Sequence, residues 1–279
     1  MLGGPARGLG TAVLVVATAC SPGVSEPTPS STPLRLSAVL TQDSRDAARD
    51  RVAVVVANES GVAVTPAAIG YADPRLSGPL TGGRLRAIPA GGERRFPLPL
   101  VDPVCDGRDD GSARLSVRVG SEEVAVPVVD EVQVVARWVE RRCAELAVAD
   151  VAPLAFTGVV VSTAGDSADL VLTATPTGEG SGAYVIETVA GTPVFTSTDG
   201  PWTPEATVAA DGRPGEMLLP TRPARCDGHV FGESAGATSF LVGVRLDGQR
   251  REVIVRMSSG VAAAALGFAV AACRDTPPG

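Results

Sequence analysis

Most of the chain is made of short runs in which apolar residues, many of them Val, alternate with polar ones or follow each other without a break. Gly, Ser, Thr and Asn separate these runs, for example at 58–61, 81–83 and 177–182. Short alternating runs between turn residues are typical of β-strands. Strands are therefore predicted at 34–40, 51–57, 93–100, 115–119, 123–127, 154–162, 168–174, 183–187, 216–219, 240–246 and 252–256.

Two longer segments have the pattern of helices. Residues 130–143 form an amphipathic pattern in which Trp138 is expected to belong to the core. Residues 259–273 are apolar on every face, which predicts a helix buried in the core and leaves a partner-binding face as the alternative. That segment is too short to be a membrane span, which needs about 20 residues.

The chain also repeats itself. Residues 98–107 read LPLVDPVCDG and residues 219–228 read LPTRPARCDG, and after each come two strand-like runs and a helix-like run that ends at a Cys. Many short strands without long helices between them favour antiparallel sheets. The sequence therefore predicts a mainly β protein of two tandem antiparallel β-sandwich-like domains, 34–150 and 151–279, each with a terminal helix.

The N-terminal segment is predicted to be a targeting signal. Residues 1–19 carry one charge, Arg7, followed by small apolar residues that end in Ala17-Thr18-Ala19-Cys20. This segment resembles a bacterial lipoprotein signal with its lipobox. The resemblance implies that Cys20 becomes the first mature residue and carries the lipid that anchors the protein to the outer face of the cell membrane. The alternative is an ordinary secretory signal, which would leave a soluble exported protein.

Residues 20–33 are rich in Ser, Pro and Thr and are predicted to be a tether between the lipidated Cys20 and the folded body. Thiols outside the membrane tend to be oxidised, and four cysteines follow the tether, which allows three pairings. The internal repeat selects one pairing, because matching copies imply matching bridges: Cys105 with Cys143, and Cys226 with Cys273.

Composition excludes several chemistries. The net charge is −7, all 24 basic residues are Arg, and His229 is the one His. Without Lys there is no P-loop lysine, no Schiff-base lysine and no Ser-x-x-Lys nucleophile. The acidic balance argues against nucleic acid as a partner. No cofactor, no metal site and no catalytic residue is predicted.

Two motifs suggest chemistry and are better explained as turns. Residues 232–236 match the Gly-x-Ser-x-Gly esterase pattern around Ser234, but a strand-like run follows where that motif needs a helix, and His229 precedes the Ser. His229 follows Asp227 in the second Cys-Asp-Gly turn, where the first copy has Arg108. A turn histidine bonded to a carboxylate is the expected role, with pH sensing as the alternative.

The signal, the tether and the repeated Cys-Asp turns together resemble exported lipoproteins of high-GC Gram-positive bacteria, a resemblance that implies no activity. The leading hypothesis is a non-enzymatic binding or scaffolding module whose partner is an envelope protein or a cell-wall component. Its candidate interaction surface is the repeated turn, with Asp106, Arg108, Asp227 and His229. The rivals are an envelope hydrolase that uses carboxylates near Asp227 and Glu233, and a solute-binding lipoprotein.

Overall fold

The structure is a computed structural model that describes residues 34–82, 85–227 and 236–274, and these residues form one compact unit. The first half contains eight strands: β1 Leu36–Thr41, β2 Arg51–Asn58, β3 Ala68–Ala72, β4 Leu80–Thr81, β5 Glu93–Pro99, β6 Arg114–Val119, β7 Glu122–Val126 and β8 Val128–Val129. They form two sheets, of order β5-β2-β1-β8 and β4-β3-β6-β7. Both sheets contribute to one hydrophobic cluster, so they pack face to face.

The second half repeats this arrangement with strands β9 Leu154–Val161, β10 Ala168–Ala174, β11 Ala183–Val189, β12 Phe195–Thr196, β13 Ala206–Ala209, β14 Gly215–Pro223, β15 Ser239–Leu246 and β16 Gln249–Arg256. The sheets have order β12-β14-β10-β9 and β13-β11-β15-β16, and they share a second hydrophobic cluster. We call β1–β8 sandwich 1 and β9–β16 sandwich 2.

In sandwich 1 the long strands β1, β2 and β5 share one sheet and β3, β6 and β7 share the other; in sandwich 2 the equivalent sets are β9, β10 and β14, and β11, β15 and β16. This is the strand order of the immunoglobulin-type sandwich. The prediction of a mainly β, antiparallel sandwich fold is confirmed, with one short parallel pair, β1 with β8. That pair forms because the chain leaves β7 at Pro127, whose carbonyl then accepts the N–H of Ala38 at 3.0 Å.

Three helices complete the described structure: α1 Ser44–Ala47, α2 Val134–Val151 and α3 Ser259–Arg274. Among the described residues, no helix has the length and apolarity needed to cross a membrane. Helix α2 joins the two sandwiches, because Val135 and Trp138 pack into the first core whereas Ala144 and Val148 pack into the second. The proposed boundary near residue 150 falls within the last turn of this shared helix and stays a prediction.

Helix α3 is not buried on every face as the sequence predicts. Ala265, Phe268, Ala269 and Ala272 pack into the second core, whereas Val270 is 37% exposed. The reason is geometric: α3 rests on β9 and β14 on one side, and a helix packed on one side buries one stripe even when its sequence is apolar all round.

Both predicted disulfides are present, with Cα separations of 5.5 Å for Cys105–Cys143 and 5.3 Å for Cys226–Cys273. Each joins the segment after an equivalent strand, β5 or β14, to the helix that follows the last strand of that sandwich. The repeat extends to packing, because a buried aromatic side chain precedes the helical Cys by five residues in both copies. These side chains are Trp138, 5% exposed, and Phe268, also 5% exposed.

Candidate functional site

A charged groove with a volume of about 660 Å³ lies between helix α2 and sandwich 2. One wall is the first half of α2, and the floor is the outer face of the β13-β11-β15-β16 sheet. Five arginines and four glutamates line it: Arg137, Arg141, Arg245, Arg250, Arg251, Glu140, Glu187, Glu205 and Glu252. We call it the interdomain groove, because its helical wall is part of the first core and its floor is part of sandwich 2.

A β-bulge in β11 shapes the floor of the groove. Ile186 pairs with Val244 and Thr188 pairs with Gly243, so Glu187 is an extra residue between them. The bulge puts Glu187 and Thr188 together at the groove, although neighbouring residues of a regular strand point to opposite faces. Gly243 leaves room for this, since a Cβ on it would lie 2.4 Å from the Thr188 hydroxyl oxygen.

The charges on the floor are largely paired. The Glu187 carboxylate, only 9% exposed, accepts a hydrogen bond from Arg245 and lies 3.1 Å from the Nε of Arg250. Arg251 reaches across to the helix and donates to Glu140 at 3.1 Å. These pairs fix the side chains of the sheet against each other and tie the sheet to α2.

The helical wall is less completely paired, because Arg137 forms no ion pair among the described residues and Arg141 has only the Glu145 carboxylate, 3.9 Å from its Nε. Arg137 is exposed, and the Nε of Arg141 is enclosed without a hydrogen-bond partner. The guanidinium of Arg141 lies over the Trp138 ring, 5.6 Å from its centroid. Burial lowers the pKa of Arg141, and the charge of Arg137 acts in the same direction.

The turns that the sequence singles out lie elsewhere. Asp106 and Arg108 are exposed in the segment after β5, and Asp227 pairs with Arg225 at 2.8 Å in the equivalent segment after β14. None of these residues lines the interdomain groove. His229, together with Cys20, Glu233 and Ser234, lies outside the described residues. The interaction surface assigned to the turns stays a prediction.

The buried carboxylate of the groove is already engaged. The two oxygens of Glu187 contact Arg245 and Arg250, so neither is free to act as a general base or nucleophile in this arrangement. Among the residues that the structure describes, no group of three or more His, Cys, Asp or Glu could hold a metal ion. What the groove offers is a fixed set of charges on rigid elements.

Sequence reasoning missed this groove because its walls come from segments far apart in the chain. The local signals were weak: Arg141 and Arg142 are adjacent in α2, Arg250 and Arg251 are adjacent in β16, and one acid interrupts the apolar run of β11. Charged residues on a helix or strand more often form part of a solvated surface, so none of these three signals identifies a site by itself.

Comparison with known proteins assigns no family, since no protein-family model and no curated protein matches the chain. Among solved structures, the chain is similar to CBD12 from CALX1.2 at a TM-score of 0.21 and 14% identity, with 76% of this chain and 81% of that chain covered. Red sea bream transglutaminase follows at 0.21 and 12%, covering 81% and 31%. A BSP domain of a biofilm associated protein matches at 0.18 and 11%, covering 81% and 30%. Similarities this low carry no argument about function.

Proposed function

We propose that this protein is a non-enzymatic binding module of the cell envelope, in which the interdomain groove holds an envelope protein or a cell-wall component. The observation that carries the proposal is the groove itself, which has a volume of about 660 Å³ and lies between helix α2 and one sheet of sandwich 2. Binding sites commonly lie at such interfaces between domains, where a few fixed polar groups set the orientation of a ligand.

The charge arrangement favours a ligand with polar or charged groups. Guanidiniums and carboxylates alternate across the floor, and Leu241 and Thr188 supply a small apolar patch among them. The paired Glu187 and Arg245 are already oriented, so a ligand would not have to order them on binding. A prearranged surface of this kind supports recognition without requiring a chemical step.

The proposed location at the cell membrane rests on the N-terminal sequence. Lipid on Cys20 would hold the body at the outer face of the membrane, and the tether at 21–33 would separate the two. Mass analysis of the membrane-extracted protein tests this part: a mature chain that begins at Cys20 with acyl mass supports it. A mature protein without acyl mass contradicts the anchor and supports a soluble exported form.

Filling the groove tests the binding function. We expect Leu241→Trp, on the groove floor, to reduce co-sedimentation of the Cys20→Ser protein with purified cell walls, or its crosslinking to an envelope protein. Leu218→Trp is the matched control, because Leu218 is 58% exposed on the outer face of the other sheet of sandwich 2. Equal binding by both variants would contradict the groove as the binding surface.

The same samples separate binding from hydrolysis. A binding module leaves the bound wall material intact during incubation, whereas a hydrolase releases new reducing ends or free amino groups. Release that depends on an intact groove would replace the binding function with an enzymatic one.

A further inference from the structure

The helical wall of the interdomain groove carries two arginines whose charge the protein itself neutralises only in part. Arg137 and Arg141 are four residues apart in α2, so they lie on neighbouring turns of the same helix face. Among the described residues, no ion pair is formed by Arg137. Two like charges four residues apart destabilise a helix slightly, and a negative charge between them would relieve this repulsion.

The nearest acid to Arg141 is already engaged. The Nε of Arg141 lies 3.9 Å from the Oε1 of Glu145, which is too long for a hydrogen bond. That same oxygen accepts the backbone N–H of Ile254 at 3.2 Å, and Oε2 accepts from Arg142 at 3.2 Å. Glu145 therefore serves to join α2 to β16, and Arg141 is left with an enclosed donor that has no acceptor.

The surroundings make this an unfavourable place for an unpaired cation. The side chain of Arg141 is 20% exposed, and both Arg137 and Arg256 add positive charge near it. Glu145 and Asp50 act in the opposite direction, so burial is the main reason that the charge of Arg141 is disfavoured. An enclosed charged donor without an acceptor costs free energy, and an anion placed in the groove beside this guanidinium would lower that cost by offsetting its positive charge.

The arginines of the floor are each paired with an acid. Arg245 and Arg250 both contact Glu187, and Arg251 contacts Glu140, so part of their positive charge is already offset within the floor. Among the described residues Arg137 has no such partner, and Arg141 has only the Glu145 carboxylate, 3.9 Å from its Nε. The groove as a whole has one more Arg than Glu, although the chain is acidic.

We propose that Arg137 and Arg141 form a binding site for an oxyanionic group, a phosphate or a carboxylate, on the ligand held in the groove. This inference rests on the proposed function. The guanidinium group presents paired N–H donors in a plane, which matches the oxygen pairs of phosphates and carboxylates. Two such groups on neighbouring helix turns can hold one oxyanion between them.

The test is isothermal titration calorimetry of the Cys20→Ser protein with two probes, pyrophosphate and citrate, and with sodium chloride at matched ionic strength. We expect saturable binding of at least one probe and none of chloride. Binding of pyrophosphate alone assigns a phosphate group, and binding of citrate alone assigns a carboxylate. Arg137→Gln and Arg141→Gln should each lower the affinity for the probe by about 10-fold or more, since a hydrogen bond to a charged group contributes about 1.5–3 kcal/mol.

Arg213→Gln is the control, because Arg213 is exposed, lies outside the groove and gives the same change in net charge. Fluorescence locates the site, since the Trp138 ring lies under Arg141 and Trp202→Phe leaves Trp138 as the one remaining tryptophan. The probe should change Trp138 emission in that background. Equal affinities in Arg137→Gln and Arg213→Gln, or an equal response to chloride, would overturn the inference.

The failure of this inference can be told from failure of the proposed function. If Leu241→Trp abolishes wall or protein binding while Arg137→Gln and Arg141→Gln leave it unchanged, the groove binds its partner without the oxyanion site. If the unmodified protein binds neither the probes nor the envelope material, both are wrong.

Discussion

The β-bulge at Glu187 leads to a prediction about Gly243→Ala, in which one contact decides whether the substitution stabilises or destabilises the protein. Gly243→Ala adds a Cβ that would lie 2.4 Å from the Thr188 hydroxyl oxygen. Contacts this short force neighbouring atoms to move, and overpacking of this kind costs about 1–3 kcal/mol. Without the clash the substitution should instead stabilise the strand by about 0.5–1 kcal/mol, because Gly is the poorer residue in a strand interior.

A double-mutant cycle isolates the contact. Thr188→Ala removes the hydroxyl, so Gly243→Ala in that background should be neutral or stabilising. The expected coupling free energy between the two positions is about 1–3 kcal/mol, within the range of residues in direct contact. Thermal unfolding would show Gly243→Ala lowering Tm by roughly 2–12 °C, since each kcal/mol shifts Tm by about 2–4 °C at this chain size.

Gly158→Ala provides the matched control. Gly158 lies in β9 where its pairing with β10 is also irregular, but a Cβ there would meet Val171 at 3.7 Å, an ordinary contact. We expect this variant to be as stable as the unmodified protein or slightly more stable. Additive effects of Gly243→Ala and Thr188→Ala would refute the reasoning, as would a stabilised Gly243→Ala protein. Either result would mean that Thr188 does not lie over Gly243 and that the bulge does not shape the groove as described.

Three further predictions concern stability. Replacing Cys226 and Cys273 with Ser should lower the free energy of unfolding by about 4 kcal/mol, as loop closure over 47 residues implies, and a loss below about 1 kcal/mol in urea denaturation would contradict this. Trp138→Ala should cost about 3–5 kcal/mol in the same assay, because the ring is buried and its N–H bond to a backbone carbonyl is lost; an unchanged midpoint would show that the helix does not complete the first core. Burial acts to raise the pKa of the Asp73 carboxyl, but hydrogen bonds from Arg75 outweigh it and hold the pKa below the ordinary 3.8. The ionised Asp73 therefore contributes to the free energy of unfolding above pH 3.8, and this contribution is lost as the pH falls through the lower pKa of the folded state. The difference in free energy of unfolding between the unmodified protein and Asp73→Asn should narrow from pH 7 to pH 3. A difference that stays constant over this range would contradict the ionic role.

Much of the architecture followed from local pattern. Alternating Val-rich runs placed β2 at 51–58 and β10 at 168–174 closely, because sidedness in a strand repeats every two residues. The central strand β3, AIGYA, was missed: its small residues carry little strand signal, and it is held by pairing with β4 and β6. The short strands β8, β12 and β13 were missed for the same reason, since each is a strand only because it pairs with a longer one.

The sequence by itself determined the mainly β class, the internal repeat, the two disulfides and the exclusion of lysine chemistry. These properties depend on composition, on local periodicity, or on a motif written twice. The tertiary structure decided which face of α3 is covered and that α2 belongs to both cores. It also decided that Arg137 and Arg141 line one groove with residues of β16, more than 100 residues away in the chain. The groove forms where residues from distant segments meet, and the local sequence pattern of each segment does not show which other segments it will contact.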